Sequence, residues 1–184
     1  MWIDTLFMTV LFLNKMGQKY QKQEWIDESI HQVLMHIKYL YDTHTGLFYH
    51  GWSFNRMDNF GGIFWCRGNS WFTLGILDYV DMFKGTLNAG VKTIIVDTYK
   101  AQVRKLKELQ SKSGLWHTVL TDPDRLRRSF WFCGHRGRNS QRNQMGILDD
   151  SYLECAWKGV QAILKNIDKD GTVLNVSGGT GMGY

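Results

Sequence analysis

The sequence is poor in proline: Pro123 is the only one in 184 residues. A chain with so few breakers favours long helices over a many-turned sandwich. Cysteine is also scarce. Cys66, Cys133 and Cys155 are odd in number and widely spaced, with no CxxC pair and no Cys/His metal pattern, as expected of a reduced, cytoplasmic-type chain. No apolar run is long enough to span a bilayer. The run Leu6–Leu13 follows Asp4 where a signal peptide needs a basic region, and no small-residue cleavage site follows it. It reads as a buried helix, and no membrane partner is expected.

What remains is an ordinary globular composition, 43% hydrophobic and 21% charged, long enough for one domain with a sizeable core. Aromatics reach 14%, with eight tryptophans. Flat side chains in that number suit a core, an interface or a sugar-stacking cleft. The formal charge of +5 is local. Arg125, Arg127, Arg128, Arg136, Arg138 and Arg142 lie in one stretch, and elsewhere the charges nearly balance.

Apolar spacing of three and four predicts helices over residues 3–17, 22–41, from Asn69 onward, 90–111 and 150–166. The first is apolar on most faces, which predicts burial all round. Asp42 and Gly46 end the second and open a loop through Tyr49-His50-Gly51-Trp52. Asp149, Asp150 and Ser151 supply capping side chains and acidic charge at the start of the last. Long helices joined by Gly- and aromatic-rich loops imply an all-α repeat of hairpins.

Residues 125–144, within RLRRSFWFCGHRGRNSQRNQ, break the pattern. A basic stretch interleaved with aromatics is one composition for RNA binding. The other reading is a compensated frameshift. One base later, synonymous codons for residues 126–145 allow YVEASGSAAIAAGILKGIR, an Ala-rich helix that runs into Met145-Gly146-Ile147-Leu148. On that reading no nucleic-acid partner is expected, and the coding DNA decides between the two.

Three segments carry chemistry. In Met1-Trp2-Ile3-Asp4-Thr5-Leu6-Phe7-Met8 a carboxyl group heads an apolar helix beside an indole. Partial desolvation suits such a group to proton donation, and a helix-capping aspartate is the alternative. In Phe64-Trp65-Cys66-Arg67-Gly68-Asn69-Ser70-Trp71 a planar fork of donors sits between two indoles. That set matches an acidic sugar, and equally a helix entry capped by Asn69 with both indoles in the core. Gly114-Leu115-Trp116-His117 and Thr121-Asp122-Pro123-Asp124 read as a loop with an acidic turn, where His117 is structural.

The motifs MWIDTLFM, FWCRGNSW, GLWHTVLTDPD and DGTVLNVSGGTGMGY, in that order, resemble the unsaturated rhamnogalacturonyl hydrolase family, related to the unsaturated glucuronyl hydrolases. The shifted reading YVEASGSA is similar to the family's segment after the DPD loop. The resemblance implies an (α/α)6 toroid of six hairpins, of which residues 1–184 form one incomplete domain. It implies hydration of the C4–C5 double bond of an unsaturated oligouronide from pectin, with no cofactor and no metal. Asp4 matches the family's general acid/base, and Trp2, His50, Trp65, Arg67 and Trp71 match positions lining the substrate site. The family's second cleft aspartate lies upstream of the MWxD motif, so the expectation is little catalysis by this chain alone. A noncatalytic helical scaffold or carbohydrate-binding fragment is the alternative.

Overall fold

The computed structural model describes residues 1–124, 127–128 and 148–176. The Arg-rich segment, the shifted reading built on it and the GTGMGY end lie outside these residues, apart from the backbone of Arg127–Arg128. The chain opens on a continuous helical run: α1 (Ile3–Thr5), a π-helical turn (Leu6–Val10) and α2 (Leu11–Tyr20). Gln21, in the left-handed region at φ 54°, closes α2 and lets α3 (Gln23–Leu40) fold back against it. Two short strands follow, β1 (Tyr41–Asp42) and β2 (Leu47–Phe48), antiparallel with Tyr41 opposite Phe48. Asp42 and Gly46 therefore build a hairpin turn between them. The Asp42 carboxylate accepts from the Thr45 amide and hydroxyl, at 3.1 and 2.6 Å, and Gly46 takes φ 79°.

A second helical hairpin joins α4 (Cys66–Met82) to α5 (Ala89–Glu108), whose start is capped by the Asn88 side chain. Strands β3 (Trp116–His117) and β4 (Arg127–Arg128) pair antiparallel, and α6 (Ser151–Leu164) follows. The Ser151 amide donates to Asp149 at 2.8 Å, one residue ahead of the N-cap, while Asp150 at the N-cap itself makes no side-chain capping bond. Arg127–Arg128 pair as strand although residues 125–144 show no strand periodicity.

One core spans both hairpins: Ile3, Leu6 and Val10 meet Val33 and Leu40 of α3, Phe72, Ile76 and Tyr79 of α4, and Ile95 and Tyr99 of α5. The first helix departs from the expectation of burial all round. Met8 and Phe12 are 58% and 62% exposed, because the hairpin partners cover only the Ile3–Leu6–Val10 side. Gly75 lets α4 approach that helix. A Cβ there would stand 2.7 Å from Phe7 Cδ2 and 3.1 Å from Leu11 Cδ2. Gly75→Ala is thus expected to lose more to overpacking than it gains in helix propensity, lowering Tm by about 2–6 °C in a thermal melt.

Candidate active site

The segment ahead of α1 lies beside the chain leaving β2. Trp2 bridges Gly51 in antiparallel fashion, and the Ile3 amide donates to the His50 carbonyl at 3.0 Å. Trp2 and Asp4 are thereby brought to His50, although they are far apart in sequence. The start of α4 is held by a different loop: the Cys66 amide donates to the Thr118 carbonyl and the Leu120 amide to the Phe64 carbonyl, both at 2.9 Å.

Asn69 ties these pieces together. Helix α4 begins at Cys66 rather than Asn69, so Asn69 is no cap; it is a fully buried residue in the first turns. Its amide stands in for a strand, donating to the Phe48 carbonyl at 2.9 Å and accepting from the Phe48 amide at 2.8 Å. It also donates to the Trp65 carbonyl, and Gln102 of α5 donates to its Oδ1 at 3.2 Å and its backbone carbonyl at 3.0 Å. The strand leading to His50 and the helix carrying Arg67 and Trp71 are so locked in one register.

Asp4 is not a helix cap either: Trp2 holds the N-cap position of α1, and the Asp4 side chain reaches across to α4. The Trp71 indole N–H donates to Asp4 Oδ1 at 2.8 Å. Asp4 Oδ2 faces His50 Nδ1 at 3.5 Å, and neither atom has a hydrogen-bond partner among the described residues. The His50 ring lies 4.8 Å from Trp2 and 4.6 Å, edge-on, from Trp65. The Arg67 guanidinium sits 4.3 Å over the Trp65 ring, a cation–π contact that holds its fork in place.

Together Trp2, Asp4, His50, Trp65 and Arg67 wall a cleft of about 420 Å³. Trp71 touches Asp4 and packs 5.0 Å from Phe7 rather than forming the cleft wall. Thr5, Met8 and Thr9 complete the lining, a contribution that sequence spacing did not single out. The π-helical turn Leu6–Val10 resets the helix register between them, and regular spacing of three and four contains no sign of it. His117 lies in β3, outside the cleft.

Burial holds the His50 imidazole below its ordinary value and the Arg67 charge adds to this, while Asp4 pulls the other way. His36, fully buried in α3, is lowered chiefly by burial too, against its contacts with the Gln32 carbonyl at 2.6 Å and the Trp2 carbonyl at 3.1 Å. Both folded values lie below the unfolded one, so as pH falls through about 6.5 the unfolded chain binds protons first. The stability these two groups contribute is complete above that pH and is lost on acidification, at up to about 1.4 kcal/mol per pH unit for each. Thermal melts from pH 7.5 to 5.5 are expected to show Tm falling, with a shallower fall in His36→Gln.

The helical hairpins that bring this carboxylate, arginine and indoles together are those of an (α/α)6 toroid, of which the chain forms an incomplete part. The chain belongs to Glycosyl Hydrolase Family 88, which matches residues 1–184. It is 32% identical over 179 residues to the unsaturated rhamnogalacturonyl hydrolase YesR of Bacillus subtilis, covering 97% of this chain and 50% of that one. A crystal structure described as a possible member of the GH105 family, from Salmonella enterica, superposes with a TM-score of 0.91 at 37% identity, over 100% of this chain and 48% of the other. The unsaturated glucuronyl hydrolase of Bacillus sp. GL1 shares the fold, with a TM-score of 0.66 at 17% identity, over 92% of this chain and 47% of its own. The chain thus spans about half the length of these relatives.

Proposed function

We propose that this chain carries the unsaturated-sugar site of a hydrolase that acts on unsaturated galacturonyl oligosaccharides from rhamnogalacturonan, in pectin breakdown in the cytoplasm. The observation that carries the reading is the Asp4 carboxylate, oriented by Trp71 and set against His50 in a cleft that also presents Arg67 and Trp65. Arg67 is the group for the sugar carboxylate, because a guanidinium fork matches two carboxylate oxygens. Trp2 supplies a face for the ring, the buried Trp65 supports Arg67 from beneath, and His50 meets a sugar or carboxylate oxygen.

Asp4 gives a proton to C4 of the C4–C5 double bond, and the ring oxygen stabilises the positive charge left at C5. Water adds at C5 while Asp4 takes up its proton, which restores the acid. The hemiketal at C5 opens to a ketone, and the hemiacetal at C1 then releases the leaving sugar. No group outside the chain and water is consumed. This differs from two-carboxylate displacement at the anomeric carbon.

The test is incubation with unsaturated galacturonyl-rhamnose while following the ultraviolet absorbance of the conjugated double bond. Loss of absorbance with release of rhamnose is the expected result when this sequence is joined to the half of its relatives' length that it does not span, and residues 1–184 alone are expected to turn over little. Binding without any loss marks a noncatalytic carbohydrate-binding scaffold, and neither binding nor loss contradicts the reading altogether. Arg67→Lys keeps the charge and removes the fork. It is expected to weaken binding of the unsaturated sugar about tenfold, read by titrating tryptophan fluorescence.

A further inference from the structure

Ser29, Val33, His36 and Leu40 form the buried face of α3, and His36 is fully buried. A polar ring in that stripe costs free energy unless its nitrogens are bonded, so an aliphatic side chain would suit the core better. His36 lines neither the Asp4 cleft nor the adjoining cavity of about 710 Å³ between Trp2 and the loop of residues 52–61. Its nitrogens instead face two carbonyl oxygens: Nδ1 that of Gln32 at 2.6 Å, and Nε2 that of Trp2 at 3.1 Å. A carbonyl only accepts, and a neutral imidazole has one N–H, so the ring can serve one of them. The two contacts differ in origin. Gln32 lies one turn back in the same helix, whose backbone holds its oxygen near Nδ1 whether or not a proton lies between. Trp2 comes from 34 residues away and is not held there by α3's own backbone. A bare lone pair at Nε2 would repel the Trp2 oxygen in a buried site of low dielectric.

We propose that His36 carries its proton on Nε2 and is a positioning residue for the reaction, holding the Trp2 carbonyl and with it the start of α1 that bears Asp4. The proposal rests on the reading of Asp4 as the proton donor. Trp2 is the N-cap of α1 and a wall of the cleft, and Asp4 follows two residues on. The Ile3 amide ties this segment to the His50 carbonyl at 3.0 Å, and His36 ties it to α3. Held from both sides, the Asp4 carboxylate keeps its place between the Trp71 indole and His50. Proton transfer to carbon is sensitive to where the acid stands, and a shift of about 1 Å can cost about 10²-fold in rate.

Two measurements test this. The first reads the ring nitrogens of His36 by nitrogen-15 NMR in the unmodified chain at about pH 7.5, where burial keeps the imidazole neutral. A proton on Nε2 is the expected result, and a bare Nε2 overturns the proposal. The second compares two variants in the polypeptide that joins this sequence to the half of its relatives' length that it does not span. His36→Gln places an amide donor where Nε2 stands, within reach of Trp2, whereas His36→Asn reaches only as far as Nδ1. Both leave a buried amide in place of the ring, so thermal melts separate the general cost of the change from the lost contact. With unsaturated galacturonyl-rhamnose, His36→Asn is expected to lose about tenfold or more in kcat, with KM changed less, and His36→Gln to keep most of the rate. Equal losses in the two variants, or no loss in His36→Asn, overturn the positioning role, while turnover by the unmodified polypeptide still supports Asp4. No turnover by the unmodified polypeptide sinks the reading of Asp4 and takes this one with it.

Discussion

Asp4→Asn, in the polypeptide that carries this sequence, is expected to lower kcat on unsaturated galacturonyl-rhamnose by about 10²–10⁴-fold with the affinity for substrate little changed. The size of the effect follows from the role: general acid and base are the same group, and asparagine can neither give a proton to C4 nor take one from water. The fold has little reason to respond. Asparagine keeps an oxygen for the Trp71 indole N–H, now 2.8 Å from Asp4 Oδ1, and the side chain keeps its shape. Its amide can also face His50 Nδ1 across the 3.5 Å gap, since burial keeps that imidazole neutral near neutral pH and one tautomer accepts. Loss of turnover with retained binding therefore isolates proton transfer. Trp71→Phe is the companion variant: it removes the hydrogen bond and leaves the carboxylate, so its loss in kcat should be smaller than that of Asp4→Asn.

The second large effect falls on stability. Asn69→Ala is expected to cost about 3–5 kcal/mol, read as a lower denaturant midpoint or Tm. The alanine strands the Phe48 amide and carbonyl, which belong to a residue fully buried in the core. Each orphan costs about 1–3 kcal/mol, and the total is a large part of the stability of an ordinary domain. Asn69→Asp should not rescue it. A carboxylate still accepts from the Phe48 amide, but it sets a negative charge against the Phe48 and Trp65 carbonyls, to which the native amide donates. Because Phe48 leads to His50 and Trp65 leads to Arg67, the same variant should loosen the cleft.

Most of the helical frame was legible in the spacing of apolar residues, since Ile30, Val33 and Ile37, or Phe72, Ile76 and Tyr79, recur on one face wherever a helix packs on a core. Local spacing failed where a contact came from far along the chain. Asn69 has the chemistry of a cap, yet its partners at Phe48 and Gln102 lie 21 and 33 residues away, so the start of α4 moved to Cys66. Trp2, Asp4, His50, Trp65 and Arg67 were found together because residue type and motif marked them, and the structure does gather them. Trp71 was marked as well, but its bond to Asp4 depends on how two helices cross. Thr5, Met8 and Thr9 were hidden by the π-helical turn, and the aromatic loop of residues 52–62 has no period from which a cavity could be read.

The account is tested most directly by running the reaction in heavy water and reading the released uronic sugar by NMR. Protonation of the double bond predicts one deuterium at C4 of a product whose C4–C5 double bond is gone, read early, before the neighbouring C5 ketone exchanges that position, and predicts that Asp4→Asn forms it about 10²–10⁴-fold more slowly. A released sugar that keeps its double bond and carries no deuterium at C4 would contradict hydration, and labelled product at the full rate from Asp4→Asn would contradict the role of Asp4.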